Sequence, residues 1–263
     1  ELMNVGTGTV RLQTVAAGGT ITDTGNGRIT AGSLGVRSDT GEVTLNNVLN
    51  DVDTLAAATN GGTVTFVDAD GVDIGSVSAI AGQFAAVTGV NTDTGNFSLT
   101  AGGDVTQTEA ITTTNLTVLT LNNAAGGADI TLTNVANDAA TIDLRTMNAG
   151  NTAAVDSDIK YTDATGFSVT KITTAGDTQL TNGGAVTQTG TIESAGLLLL
   201  GTGSYTLTNA ANAVTTIASN NNGEIQYVDA NGLTVGSVLG TTGITTVNDD
   251  VLLTATTGNL TIT

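Results

Sequence analysis

The chain has 263 residues, 6 Lys plus Arg against 24 Asp plus Glu, a net charge of −18, and no Pro, Cys, His or Trp. Without Cys or His there is no disulfide framework, no thiolate metal site and no Ser–His or Cys–His nucleophile system. So acidic a surface repels phosphate, which argues against nucleic acid and anionic membrane as partners, and no apolar run approaches the roughly 18 residues of a membrane span.

What remains is rich in strand formers. There are 54 Thr and 35 Gly, only 3% aromatic and 11% charged residues, and 39% hydrophobic residues carried by Val, Leu, Ile and Ala. Branching at Cβ restricts χ1 and suits a pleated strand. The composition predicts an all-β protein.

In chain order, Thr9–Thr14 reads as a strand, followed by a first landmark, Gly18-Gly19-Thr20-Ile21-Thr22-Asp23-Thr24. A second begins at Val43-Thr44-Leu45 and continues through Asn47, Asn50, Asp51, Thr54 and Leu55. The third is Phe66-Val67-Asp68-Ala69-Asp70-Gly71, with short strands expected over Thr63–Val67, Val72–Val77 and Phe84–Val87.

All three landmarks return twice, in the same order. The first recurs at Gly102–Thr108 and Gly183–Thr189. The second recurs at Ile130–Ile142, with Asn134 and Asn137, and at Tyr205–Ile217, with Asn209 and Asn212. The third recurs at Tyr161–Gly166 and Tyr227–Gly232. Internal self-similarity of this kind marks repeat architecture. The modules run at about 18–101, 102–182 and 183–263.

Around the third landmark Val64, Phe66, Val72 and Ile74 match Ile159, Tyr161, Phe167 and Val169, then Ile225, Tyr227, Leu233 and Val235. Polar residues alternate with them, a period of two that points every second side chain inward. The apolar run Leu197–Leu200 breaks this rule, and reads as core plus one outward contact against a loop or another chain.

Tandem sandwiches of about 80 residues are the alternative architecture. Against them, Phe66 to Tyr161 spans 95 residues and Tyr161 to Tyr227 only 66. A solenoid absorbs such variation because each coil touches only its neighbours. No composition shift marks a linker. Total absence of Pro fits strands that all donate to a ladder. The expected fold is a right-handed parallel β-helix of about 10–13 turns, the hand following from the crossover rule. Gly and Asn are expected at corners, where positive φ is often required. Asn47, Asn134 and Asn209, with Asn50, Asn137 and Asn212, are expected to form a corner ladder bonded to neighbouring backbone. Both ends are expected to continue into further coils, or to stack on neighbouring copies.

The elements Gly25–Leu34 and Asn50–Ala57, with Leu132-Thr133-Asn134 and Leu207-Thr208-Asn209, resemble the repeat regions of filamentous-haemagglutinin-like exoproteins, large adhesins exported by two-partner secretion. The resemblance implies a right-handed β-helical shaft at the outer surface of a bacterium or secreted from it, with roles in adhesion, biofilm or extracellular matrix. Its partners would be further repeats of the same polypeptide, neighbouring copies, and host or matrix glycans.

The rival class is a carbohydrate-binding or carbohydrate-processing β-helix. There are six cations and no His or Trp, and a paired-carboxylate glycosidase stays open as the catalytic alternative. The expectation is no catalytic residues and no cofactor. Asp68, Asp70 and Asp73 resemble the start of a calcium loop, since alternating carboxylates can aim several oxygens at one ion. The internal copies replace Asp70 by Thr165 and Asn231, and Asp73 by Ser168 and Thr234. A corner turn needs only the first Asp and the Gly, which persist. Thr-x-Thr pairs such as Thr106/Thr108 and Thr187/Thr189 are scattered, where an ice-binding face needs one per coil at constant spacing.

Overall fold

The computed structural model describes residues 1–263 as thirty short strands without a helix. Twenty-six of them belong to one continuous sheet. Its neighbours are parallel and one coil apart, which makes the molecule a parallel β-helix. Register steps run from Ile21 to Val43, Val64, Phe97, Leu116, Ile142, Val169 and Gln188. Three more, Thr187 to Thr206, Gln226 and Leu252, bring the total to ten. At about 4.8 Å per step these coils stack into a column of roughly 50 Å.

The core is a set of apolar ladders along this column. In one of them Leu45, Phe66, Leu99, Val118, Leu144, Ile172 and Ile192 are stacked, and all are buried. Period-two alternation is the local cause: along Val64–Asp68 and Asn96–Ala101 every second residue is buried. Each fully buried aliphatic side chain contributes about 1.5–3 kcal/mol, so a ladder of seven outweighs any surface feature described below.

The sequence repeat and the coil repeat do not keep step. Three coils beyond Val64 the ladder reaches Ile142, and four coils beyond it reaches Val169. Ile159, which matches Val64 in the sequence, falls between them and stacks instead on Ile130 and Thr178. Likewise Tyr161 stacks on Leu132 and Leu180, in a different ladder from Phe66.

Two excursions leave the coil. Between Gly75 and Gly89 the strands Ser76–Val77 and Val87–Thr88 pair antiparallel, and Gly89 N–H donates to Gly75 O at 2.8 Å to pinch the neck. Phe84–Val87 is therefore part of a side hairpin and not a coil strand, and the expected Val72–Val77 strand breaks at Gly75. Val77, Phe84 and Val87 pack on Ala56. Arg11 donates to Ser78 O and Oγ, and its guanidinium lies 6.0 Å from the centre of the Phe84 ring. A shorter hairpin, Ser237–Val238 with Thr241–Thr242, is pinched by Gly243 N–H to Gly236 O at 2.7 Å. Its Val238 covers Leu198 and Ala218. That is the outward contact of the Leu197–Leu200 run: Leu197 and Leu199 face the core, and Leu198 meets the hairpin.

Positive φ occurs at turns between strands, as at Gly18, Gly25, Gly61 and Asn151, but not at the recurring corners of the second and third landmarks. None of the six ladder asparagines, nor Gly71, Gly166 or Gly232, has positive φ. Gly166 is required by proximity instead, because a Cβ there would collide with the Ala185 carbonyl of the next coil.

Candidate functional site

The three landmarks, far apart in the chain, converge in space. Each module assembles one buried corner from three successive coils, with an Asn at its centre. Asn50, Asn137 and Asn212 are fully buried. Each accepts at Oδ1 from the backbone N–H of an Ile one coil earlier: Ile29 at 2.9 Å, Ile111 at 2.8 Å and Ile192 at 3.0 Å. Each donates from Nδ2 to a Leu carbonyl five residues upstream: Leu45, Leu132 and Leu207. Asn137 and Asn212 also donate to Thr162 O and Val228 O of the following coil. A short side chain placed between backbones can satisfy its bonding capacity only at a fixed coil separation, and the spacing set by the backbone ladder provides it.

The first landmark supplies the partner from below. Gln107 and Gln188 bond Asn137 and Asn212 through both ends of their amides. In the first module Asp23 stands in, accepting from Asn50 Nδ2 at 3.1 Å. The same residues accept from the backbone N–H groups of Asn47, Asn134 and Asn209. Those three asparagines are half-buried, and Asn47 and Asn209 donate from Nδ2 to the neighbouring coil, to Gly25 and Gly27 O and to Gly190 O. Each side-chain oxygen accepts the N–H two residues on, at Leu49, Ala136 and Ala211, closing the turn.

The third landmark closes the corner from above. Asp68, Asp163 and Asp229 are buried and accept from Val52, Ala139 and Val214 N–H, two residues past each central Asn. The following Ala69, Ala164 and Ala230 N–H groups donate to the carbonyls of those same asparagines. In two modules a tyrosine hydroxyl adds a further donor, Tyr161 to Asp163 at 2.6 Å and Tyr227 to Asp229 at 2.9 Å.

Asp68, Asp70 and Asp73, weighed above as a calcium loop or a corner turn, point to different partners. Asp68 is turned inward to backbone donors, while Asp73 accepts from Thr106 and Thr108 of the next coil at 3.0 and 2.9 Å. No group of three or more carboxylates is arranged to hold a metal ion. A different acidic row was not evident from the sequence: Asp104, Asp129, Asp158 and Asp177 stack on successive coils. Each of the first three accepts the backbone N–H of the next at 2.8–3.1 Å. Burial, and then repulsion from Asp158 and Asp156, raises the pKa of Asp177.

Several surface clefts have the size of a ligand site, among them one walled by the larger hairpin. Between the larger hairpin and the coil edge lies a cavity of about 670 Å³ with Gln13, Arg37, Asp39, Asn60, Ile80 and Phe84 on its walls.

A continuous parallel sheet pinned by recurring buried corners defines a β-solenoid repeat protein. Residues 61–146 and 156–221 match a family described as repeats of unknown function (DUF5649), together more than half of the chain, and the chain belongs to that family. Each matched stretch opens just ahead of a third landmark and closes beyond the next central Asn. No curated protein and no solved structure matches the chain.

Proposed function

We propose that the chain is a structural shaft of a bacterial cell-surface or secreted protein of the filamentous-haemagglutinin-like adhesin kind, serving adhesion, biofilm or extracellular matrix without catalysing a reaction. One observation carries this reading: a single sheet runs through the whole chain, and each module buries a hydrogen-bonded corner that ties three consecutive coils. Extension along the axis must break coil-to-coil ladders and corners together, which suits a spacer under tension. The acidic exterior keeps rods apart at low ionic strength. Partners on this reading are further coils of the same polypeptide or neighbouring copies. Electron micrographs of the purified chain test it: thin rods about 50 Å or more in length support the shaft, and compact beads refute it.

A second reading, a carbohydrate-binding or carbohydrate-processing module, is favoured by the cleft beside the larger hairpin, whose amide, carboxylate and guanidinium groups lie next to apolar surface. A glycan array combined with a reducing-end assay separates the two. Saturable binding lost on mutating Asn60 and Asp39, or robust turnover, would displace the shaft proposal.

A further inference from the structure

The three corners are alike in backbone but not in their protons. In the second module the Asp163 carboxylate takes four donors: Ala139 N–H, Tyr161 hydroxyl, Thr165 N–H and Thr165 hydroxyl. In the third, Asp229 takes Val214 N–H, Tyr227 hydroxyl and Asn231 N–H. Asp68 in the first module has only Val52 N–H at 3.0 Å and Asp70 N–H at 3.2 Å. Two substitutions explain the shortfall. Phe66 stands where the other copies have Tyr, and so brings no hydroxyl. The neutral Asn231, or Thr165 whose hydroxyl reaches Asp163 at 3.1 Å, becomes Asp70, whose N–H donates to Asp68 at 3.2 Å and whose side chain springs from the same point of the turn.

We infer that the first corner is closed by a proton shared between Asp68 and Asp70, which replaces the missing tyrosine hydroxyl and makes this corner a pH-responsive joint in the rod. Asp68 as a carboxylic acid donates to the Asp70 carboxylate and still accepts the two N–H bonds. As a carboxylate it is buried, short of one donor and faced by a like charge. The strands paired beside it, Val43–Leu45 and Asn96–Ala101, carry no charge. The other elements packed around it carry Asp51, Asp53, Asp73 and Asp104, and no cation among them offsets the anion. Burial, opposed by the two N–H bonds and reinforced by Asp70, pushes the Asp68 pKa up to about 7. The folded chain therefore holds this proton where the unfolded chain has released it. The corner's contribution to stability is full below about pH 4 and is lost as pH rises through 7.

Carboxyl ¹³C NMR on the full chain labelled at Asp, with Asp68 assigned through Asp68→Asn, tests this. The expected result is an Asp68 resonance that titrates close to neutrality. Phe66→Tyr, which restores the donor, and Asp70→Asn, which removes the facing charge, should each make Asp68 at least tenfold more acidic. Both should also flatten the fall in melting temperature between pH 5 and 8. Asp70 is exposed, so Asp70→Asn serves even where Phe66→Tyr packs poorly. Titration of Asp68 below pH 5 in the unaltered chain, or an unchanged profile in Asp70→Asn, overturns the inference.

Discussion

Gln107 and Asn137, thirty residues apart, hold each other by two reciprocal amide hydrogen bonds of 2.9 and 2.8 Å. The pair joins two recurring signatures of the sequence, and Gln188 with Asn212 repeats it at 2.9 and 3.0 Å. The repeats are therefore the parts of one device, separated along the chain because the coil brings them together.

Asn137→Ala leaves the buried Ile111 N–H without its acceptor and takes the side-chain donor from the Leu132 and Thr162 carbonyls, while Gln107 keeps Glu109 O and the Asn134 N–H. Such orphaned groups cost about 1–3 kcal/mol each, so a loss of roughly 2–5 kcal/mol is expected. Asn134→Ala removes only a turn contact from a half-buried residue and should cost about 1 kcal/mol or less. Urea unfolding of the two variants checks the contrast, and equal losses would refute the central role given to Asn137.

Tyr227→Phe deletes the hydroxyl that reaches Asp229 while keeping the ring in place. Hydrogen bonds to a charged group contribute about 1.5–3 kcal/mol, and the variant should lose about that amount. The same substitution at Tyr205, whose hydroxyl donates to the Leu180 and Leu200 carbonyls, removes a bond to neutral acceptors and should cost less. A double-mutant cycle of Tyr227→Phe with Asp229→Asn measures the coupling directly.

All three tyrosines should resist ionisation in the folded state. Burial raises the pKa of Tyr161, Tyr205 and Tyr227, and the neighbouring Asp163 and Asp229 raise the first and last further. Above about pH 10 the unfolded chain releases phenolic protons that the folded chain retains, so stability falls by about 1.4 kcal/mol per pH unit for each tyrosine. Phenolate absorbance at alkaline pH should appear together with loss of the β-sheet circular dichroism. Phenolate appearing in a still-folded chain would refute this.

Deleting Ser76–Thr88 and joining Gly75 to Gly89 should leave the solenoid intact. The coil from Val64 to Phe97 is 33 residues long, the longest of the ladder, while its neighbour from Phe97 to Leu116 takes 19. Removal of the hairpin brings the long coil to the ordinary length, and the surface uncovered is mostly small, Gly35 and Ala56 among it. The lost apolar packing and the regained chain entropy oppose each other, and a change within about 2 kcal/mol is expected. Thermal melts followed by circular dichroism check it; failure to fold would mean the hairpin is part of the scaffold.

Much of the coil was legible because period-two alternation is a local signal. Val64, Phe66, Val72 and Ile74 announce their burial by spacing alone, and the lack of Pro fits their position inside a sheet. The convergence of Gln107, Asn137 and Asp163 was not legible, since it depends on coil length, which no residue encodes locally. The repeated Gly-Ser-Val at Gly75–Val77 and Gly236–Val238 was a usable sign of the two hairpins, each springing from the same point after a third landmark. Corner glycines invited an argument from φ, whereas Gly166 is fixed by the backbone passing over it, a fact that only stacking reveals.

Ile159 stands on a different face of the rod from Val64, whereas Ile225 comes back to the strand stack that holds Val64. A partner gripping that face would meet the first and third marks and miss the second. Recognition by a flat surface would thus need a reach that spans the coils between them, while a partner that reads a single mark could dock on either of two faces.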